Sequence, residues 1–138
     1  MKKADIHVHS KHSDHPSEWF LQRIGAAESY TDPEAVYDLA VREGMDFVTL
    51  TDHNCIQGAL QLRRRHPDRV FTGVETTAYF PEDGCKVHVL IYGVDERQFR
   101  SIERIRTDVH ALRDFIRDEG LAHSVAHATY SVNGRLTA

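Results

Sequence analysis

Histidine is the residue type that first suggests chemistry in this chain, since it supplies ten of the 138 residues. In the segment Asp5-Ile6-His7-Val8-His9, an extended backbone would point His7 and His9 to the same side, because side chains alternate across a strand. Imidazole is the commonest metal ligand, and Asp5, in register with both rings, could orient one of them through its other nitrogen. The spacing therefore predicts a metal-binding strand.

Further imidazoles and carboxylates recur along the chain, each next to a short apolar run or in the loop that follows one. The candidates are Asp14, Asp52, His53, Glu75, His88 and His127. An unpaired charge among apolar neighbours would be costly at Glu75, whereas His88 taken alone also fits a core histidine bonded to a carbonyl. Mixed imidazole and carboxylate ligands favour Zn, Mn or Fe, and the candidates suffice for at least two ions.

The elements that must position these residues follow from alternating apolar runs and polar helical stretches, a pattern typical of βα units in an α/β fold. Strands are predicted at residues 4–8, 46–51, 70–76, 86–92 and 121–126. Helices are predicted at 33–43, 57–65 and 96–119, the first after a cap at Thr31 or Asp32. Sites in parallel α/β folds lie at the carboxyl ends of strands, so we expect the ligands to gather at one edge.

Composition excludes several classes of protein. With 41% hydrophobic and 28% charged residues and a net charge of -4, the chain lacks the basic footprint of a nonspecific nucleic-acid binder. No apolar run reaches the roughly 18 residues of a membrane span, and no secretory leader is visible, so we expect a cytoplasmic protein. Two cysteines, Cys55 and Cys85, are too few for a disulfide framework.

Taken in order, the motifs resemble those of the polymerase and histidinol phosphatase (PHP) superfamily of metal-dependent phosphoesterases. The matching segments are residues 5–14, 50–54, 73–75, 87–90 and 126–127. The resemblance implies a distorted (β/α) barrel with a trinuclear metal centre. It assigns His7, His9 and bridging Glu75 to one ion, Asp14 and His53 to a second, and Glu75, His88 and His127 to a third.

The resemblance is incomplete at two places. The segment 16–31 is longer than the usual family link, and the final Asp-x-His motif of the family would lie beyond Ala138. About five strands are present, whereas a complete barrel needs roughly 200 residues or more. We therefore expect residues 1–138 to form one PHP-like metal-binding domain, a partial barrel that is a fragment, a natural half-barrel, or one that a partner or a second copy completes.

By this reading, the chain is a phosphoesterase that hydrolyses a phosphate ester with a metal-activated hydroxide, using two or three divalent ions. Asp52 or a spare histidine could carry the proton to the leaving oxygen. The expected substrate is a small phosphate ester or nucleotide, with nucleic acid only as a substrate end. The alternatives are a truncated, non-catalytic module that binds metal or a partner, and an amidohydrolase-like metal hydrolase.

Overall fold

A computed structural model of the protein describes residues 1–13 and 29–128. These residues form a mixed α/β structure with five strands, as the sequence predicts. The elements in chain order are β1 (Ala4–Asp5), α1 (Pro33–Arg42), β2 (Phe47–Val48), α2 (Gln57–Arg65), β3 (Gly73–Tyr79), β4 (Lys86–Tyr92), α3 (Glu96–Ile105), α4 (Val109–Asp118) and β5 (Ala122–Val125). Within the described ranges the strands do not close into a barrel.

The strands pair in two ways. β1 is parallel to β2, and parallel bridges at Val48–Val70 and His53–Glu75 continue this arrangement toward β3. β4, however, is antiparallel to both β3 and β5, so the expectation of parallel βα units is wrong at β4. The physical reason is the short connection of residues 80–85, because a parallel crossover needs a dozen residues or more.

Helices α1 and α2 begin and end where turn chemistry dictates. The Asp32 side chain accepts a hydrogen bond from the backbone N–H of Glu34, Pro33 occupies the first turn, and Gly44 follows the helix with a φ of +81°. α2 has the predicted bounds, and its arginines lie in the last turn, where the helix dipole favours positive charge.

The long helix predicted over residues 96–119 is two helices. Asp108 ends the run because its side chain caps a new helix, accepting hydrogen bonds from the backbone N–H groups of His110 and Ala111. Ile102 and Leu112 are nevertheless buried in the same apolar cluster from successive helices. The sequence thus predicted helical structure over this stretch correctly and missed the break between the helices.

Strand alternation separates the core from the opposite sheet face. Alternate residues of β3 and β4, such as Val74 and Ile91, pack against α3 and α4 in the main apolar cluster. Glu75 and His88 fall on the intervening positions and therefore face the other way. A second cluster joins α1 and α2 to β2. In the described residues, no helix is long and apolar enough to cross a membrane.

Candidate metal centre

The centre of the site is the carboxylate of Glu75, whose residue is 1% exposed. Five imidazoles surround it. Toward Oε2 the distances are 2.9 Å from His7 Nε2, 3.1 Å from His9 Nε2 and 3.8 Å from His53 Nδ1. Toward Oε1 they are 2.9 Å from His88 Nδ1 and 3.2 Å from His127 Nε2. Six residues from separate parts of the sequence thus meet at one point.

Backbone pairing fixes His53 beside Glu75. The Glu75 N–H donates to the carbonyl of Asp52, and its own carbonyl accepts from the N–H of Asn54. Asn54 then turns the chain away at a φ of +48°, while its side chain bonds the backbone N–H and the hydroxyl of Thr77. The Asn54 side chain thus makes the bonds to β3 that the backbone of a longer strand would make. The short β2 can therefore still position the His53 imidazole against β3.

The register of β4 and β5 brings two further imidazoles to the site. His88 lies opposite Thr77 in the β3–β4 pair. Its carbonyl accepts a hydrogen bond from the N–H of Ala126, which places His127 next to it, with the two ring centroids 5.2 Å apart. Glu75 and His88 lie inside β3 and β4, whereas the ligands were expected to gather near the carboxyl ends of the strands. The hairpin continues beyond the site, which explains the difference.

His7 and His9 come from the segment after β1. Val8, between them, exchanges hydrogen bonds with Thr51, so the extended conformation continues past the strand. The two imidazoles therefore reach the same side, as predicted, with centroids 5.2 Å apart. Asp5 raises the pKa of His7 only as a minor electrostatic contribution, behind the larger effect of contact with Glu75.

Asp52, predicted as the proton carrier, lies behind this segment. It is 1% exposed and accepts hydrogen bonds from both the backbone N–H and the hydroxyl of Ser10, the latter at 2.8 Å. Burial raises the pKa of its carboxyl, although the Ser10 bonds oppose the shift. Gly58 permits the close packing, because a Cβ there would stand 2.7 Å from Asp52 Oδ2.

The electrostatics of the centre favour an ionised Glu75 beside a neutral His53. Burial opposes the charged form of Glu75, but the contacts from His7 and the other surrounding imidazoles outweigh it and hold the pKa of the carboxyl well below its usual range. Burial lowers the pKa of His53 to about 3, so this ring is neutral at physiological pH. A neutral imidazole keeps a lone pair for a cation.

The donor set fits a divalent cation. Two groups of side chains each place three donor atoms within 4.8 Å of one another. The first group is His7, His9 and Glu75, and the second is His53, Glu75 and His88. Adjacent ligands at about 2.0–2.2 Å from one ion stand roughly 3.0–3.5 Å apart, close to the separations seen here. Moreover, Nε2 of His88 is buried without a hydrogen-bond partner, and Nδ1 lies 2.9 Å from Glu75 Oε1.

The structure brings together six of the seven predicted ligands and leaves Asp14 outside the described residues. It groups His53 with His88, whereas the family resemblance groups His53 with Asp14. Sequence reasoning missed the role of Ser13, a buried residue whose hydroxyl touches both ligand groups. Ser13 belongs to the first motif of the family resemblance, residues 5–14, and this was the signal in the sequence that could have identified it.

Comparisons with known proteins give partial matches. No protein-family model matches the chain. Over 95 residues, 67% of the chain, it is 35% identical to the phosphoribosyl 1,2-cyclic phosphate 1,2-diphosphodiesterase of Eggerthella lenta, of which it covers 31%. Over 62 residues, 45% of the chain, it is 32% identical to an uncharacterized protein of Methanocaldococcus jannaschii, of which it covers 34%.

Two solved structures are similar over most of the chain. One is an amidohydrolase from Chromobacterium violaceum with bound sulfate and no metal, at a TM-score of 0.51 and 25% identity, covering 75% of this chain and 34% of that one. The other is provisionally named a metal-dependent phosphoesterase, from Bifidobacterium adolescentis, with a TM-score of 0.48 and 22% identity. The match covers 76% of this chain and 34% of that one. The chain thus spans about a third of each protein it matches.

Proposed function

We propose that this chain forms the metal-binding part of a hydrolase of phosphate esters. Its similarity to the Eggerthella relative supports a relation to the PHP-like phosphoesterases. The observation that carries the proposal is the convergence of five imidazoles on the buried carboxylate of Glu75. In the proposed architecture the five strands belong to a PHP-type barrel, whose remaining strands come from further polypeptide, a second copy or a partner.

The proposed ligands are Glu75, the five histidines around it and Asp14, and they would hold two or three ions of Zn, Mn or Fe. When bound, such ions supply activated water and neutralise the charge of a phosphoryl group. Glu75 belongs to both ligand groups, so its proposed role is to bridge two ions. Asp52 is the proposed proton carrier, because burial raises the pKa of its carboxyl toward a range in which it holds a proton more readily.

The proposed substrate is a small phosphate ester. The Eggerthella relative is named for a cyclic phosphate on a phosphoribosyl group, which makes a ribose phosphodiester the first compound class to assay. Glu75 is shared by the two ligand groups, so a phosphoryl group could contact an ion in each of them. Nucleic acid is expected only as a substrate end, because the chain carries a net charge of -4.

The test begins with metal content. The chain is purified without chelator, its Zn, Mn and Fe are counted by elemental analysis, and hydrolysis of bis(4-nitrophenyl) phosphate and 4-nitrophenyl phosphate is measured. We expect two or three ions per chain, and hydrolysis that a chelator stops and added metal restores. Glu75→Gln, which keeps the shape of the side chain, should lose both properties. A wild-type chain that binds no metal would overturn the proposal.

A second candidate is an amidohydrolase-like activity, favoured by the likeness of the fold to the Chromobacterium amidohydrolase. A third is a module that binds metal without turnover. The same metal-loaded protein separates them when 4-nitroacetanilide is assayed beside the phosphate esters. Cleavage of the amide alone would favour the second candidate, and full metal content without cleavage of either compound would favour the third.

A further inference from the structure

We infer that Ser13 is a positioning residue of the metal centre: its hydroxyl orients His9 for metal and ties the His9 segment to that of His53. The inference rests on the proposed metal-binding function and extends it to a residue that is not itself a ligand. Ser13 is completely buried. It belongs to the loop after β1, at the end of the first described range.

The hydroxyl of Ser13 contacts one ligand from each group. It accepts a hydrogen bond from the backbone N–H of His53 at 3.1 Å, and it lies 3.3 Å from Nδ1 of His9. The backbone N–H of Ser13 donates to the carbonyl of Ser10 at 3.0 Å, which closes the loop into a turn. A single side chain therefore couples the group containing His9 to the group containing His53.

A hydroxyl has one hydrogen and two lone pairs, and His53 occupies one lone pair. Without metal, His9 Nε2 faces Glu75 Oε2 at 3.1 Å and can donate to it, so Nδ1 is an acceptor and Ser13 donates. When a cation takes the Nε2 lone pair, the hydrogen is on Nδ1 and Ser13 accepts it through its second lone pair. Ser13 can thus satisfy both tautomers of His9 without moving.

The turn that carries Ser13 is itself anchored. Ser10 donates its backbone N–H and its hydroxyl to the buried carboxylate of Asp52, and the Ser10 hydroxyl also accepts the N–H of His12. Asp52 precedes His53 in the chain, so both contacts of the loop converge on the same segment. Outer partners of this kind set the orientation and the tautomer of a metal-bound imidazole, and their loss typically lowers metal affinity about 10–100-fold.

The experiment compares zinc affinity in wild type, Ser13→Ala, and the isosteric pair Ser13→Thr and Ser13→Val, by competition with a chromophoric chelator. Thr72→Val is the matched control, because Thr72 is buried and donates its hydroxyl to the carbonyl of Val94, away from the site. We expect Ser13→Ala and Ser13→Val to bind zinc about 10–100-fold more weakly. Ser13→Thr and Thr72→Val should stay close to wild type.

A spectroscopic measurement separates positioning from general stability. In the zinc-loaded wild type, the ¹⁵N spectrum of the histidine rings should show a protonated Nδ1 on His9 with slow hydrogen exchange. In Ser13→Ala this hydrogen should exchange rapidly, while Thr72→Val leaves it protected. If Ser13→Ala does not fold, the pair Ser13→Thr and Ser13→Val decides the question, since the two side chains differ by the hydroxyl alone.

The possible outcomes separate the role of Ser13 from the metal-binding function on which that role depends. Equal zinc affinity in Ser13→Thr and Ser13→Val, or a protected His9 Nδ1–H in Ser13→Ala, would overturn the role of Ser13 and leave the metal centre intact. A wild-type chain that binds no zinc would overturn both. Weaker binding in Ser13→Val with recovery in Ser13→Thr would support the inference.

Discussion

Glu34 and Glu75 both meet imidazole rings, and their surroundings differ. Glu34, on α1, lies 2.8 Å from the guanidinium of Arg65 and 2.9 Å from the ring of His66, with its side chain 28% exposed. Glu75 is 1% exposed, and the charged contacts described for its carboxylate all come from imidazoles. Proximity of Glu and His is therefore common to a surface pair and to the candidate metal centre.

What separates the two sites is how their charge is balanced. At Glu34, a permanently charged arginine satisfies the carboxylate on the surface. At Glu75, burial keeps His53 neutral, with a pKa of about 3, and leaves Nε2 of His88 without a hydrogen-bond partner. A buried anion beside a neutral imidazole is costly unless a cation is present. This comparison shows that burial and unsatisfied nitrogen atoms identify the metal site better than residue adjacency.

The largest expected effect is that of Glu75→Gln. Because Glu75 is common to both ligand groups, its loss should weaken metal binding at both, by more than the roughly 100-fold that loss of an outer-shell partner can cost. Zinc at a hundredfold excess over Kd should stabilise the wild type by about 2.7 kcal/mol, and this gain should disappear in the variant. Urea unfolding with and without zinc measures it.

The control for this comparison is Glu96→Gln, at an exposed position in the first turn of α3. It should keep the zinc-dependent stabilisation in full. Retention of the stabilisation by Glu75→Gln would mean that the buried carboxylate is no more a ligand than a surface glutamate. The distinction between the two regions would then fail.

The next effect compares the two ligand groups. The side chains of His53 and His88 are 4% and 1% exposed, whereas those of His7 and His9 are 34% and 19% exposed. Water can replace an exposed ligand but cannot easily enter the buried group. We therefore expect His88→Ala to lower bound metal more than His7→Ala, as counted by elemental analysis after dialysis. The reverse order would show that the exposed group binds the tighter ion.

Chelator kinetics should reveal the same difference without mutation. When excess EDTA is added to the metal-loaded chain, the ion at the His7 and His9 group should leave first, because solvent and chelator reach it directly. The ion at the His53 and His88 group should follow in a slower phase. A single release phase would indicate that the two groups hold one ion together or open together.

Much of this site could be predicted from sequence, for physical reasons that particular residues illustrate. His7 and His9 were found because alternation in an extended segment depends on local geometry alone. Glu75 was found because a lone carboxylate among apolar residues needs compensation. The direction of β4 was missed although the six residues between Tyr79 and Lys86 exclude a crossover helix. That spacing could have been recognised from the chain.

Other features depend on tertiary contacts that sequence patterns do not encode. The break between α3 and α4 is not one of them, because Asp108 caps α4 through bonds to residues two and three positions on, and aspartate is a typical cap residue. The link between Ser13 and the two ligands joins a loop to a strand end forty residues away. The pairing of His53 with His88 likewise depends on how β3 and β4 align.

The smallest expected effect concerns the surface pair. The hydrogen bond with His66, followed by the contact with Arg65, lowers the pKa of Glu34 below its ordinary value of 4.5, although burial opposes the shift. Because the folded-state pKa is the lower one, the stabilisation is present above the unfolded value and is lost as pH falls through the folded value. At neutral pH, Glu34→Gln should therefore cost less than about 1 kcal/mol, as exposed ion pairs do.

Urea unfolding of wild type and Glu34→Gln should differ at pH 7 and converge well below pH 4.5, with Asp68→Asn, at another exposed carboxylate, as the control. Added zinc should leave the difference between wild type and Glu34→Gln unchanged, because Arg65 already balances the charge there. A zinc-dependent difference would make Glu34 part of a metal site. The contrast between a surface carboxylate whose charge Arg65 balances and a buried carboxylate that requires a cation would then no longer hold.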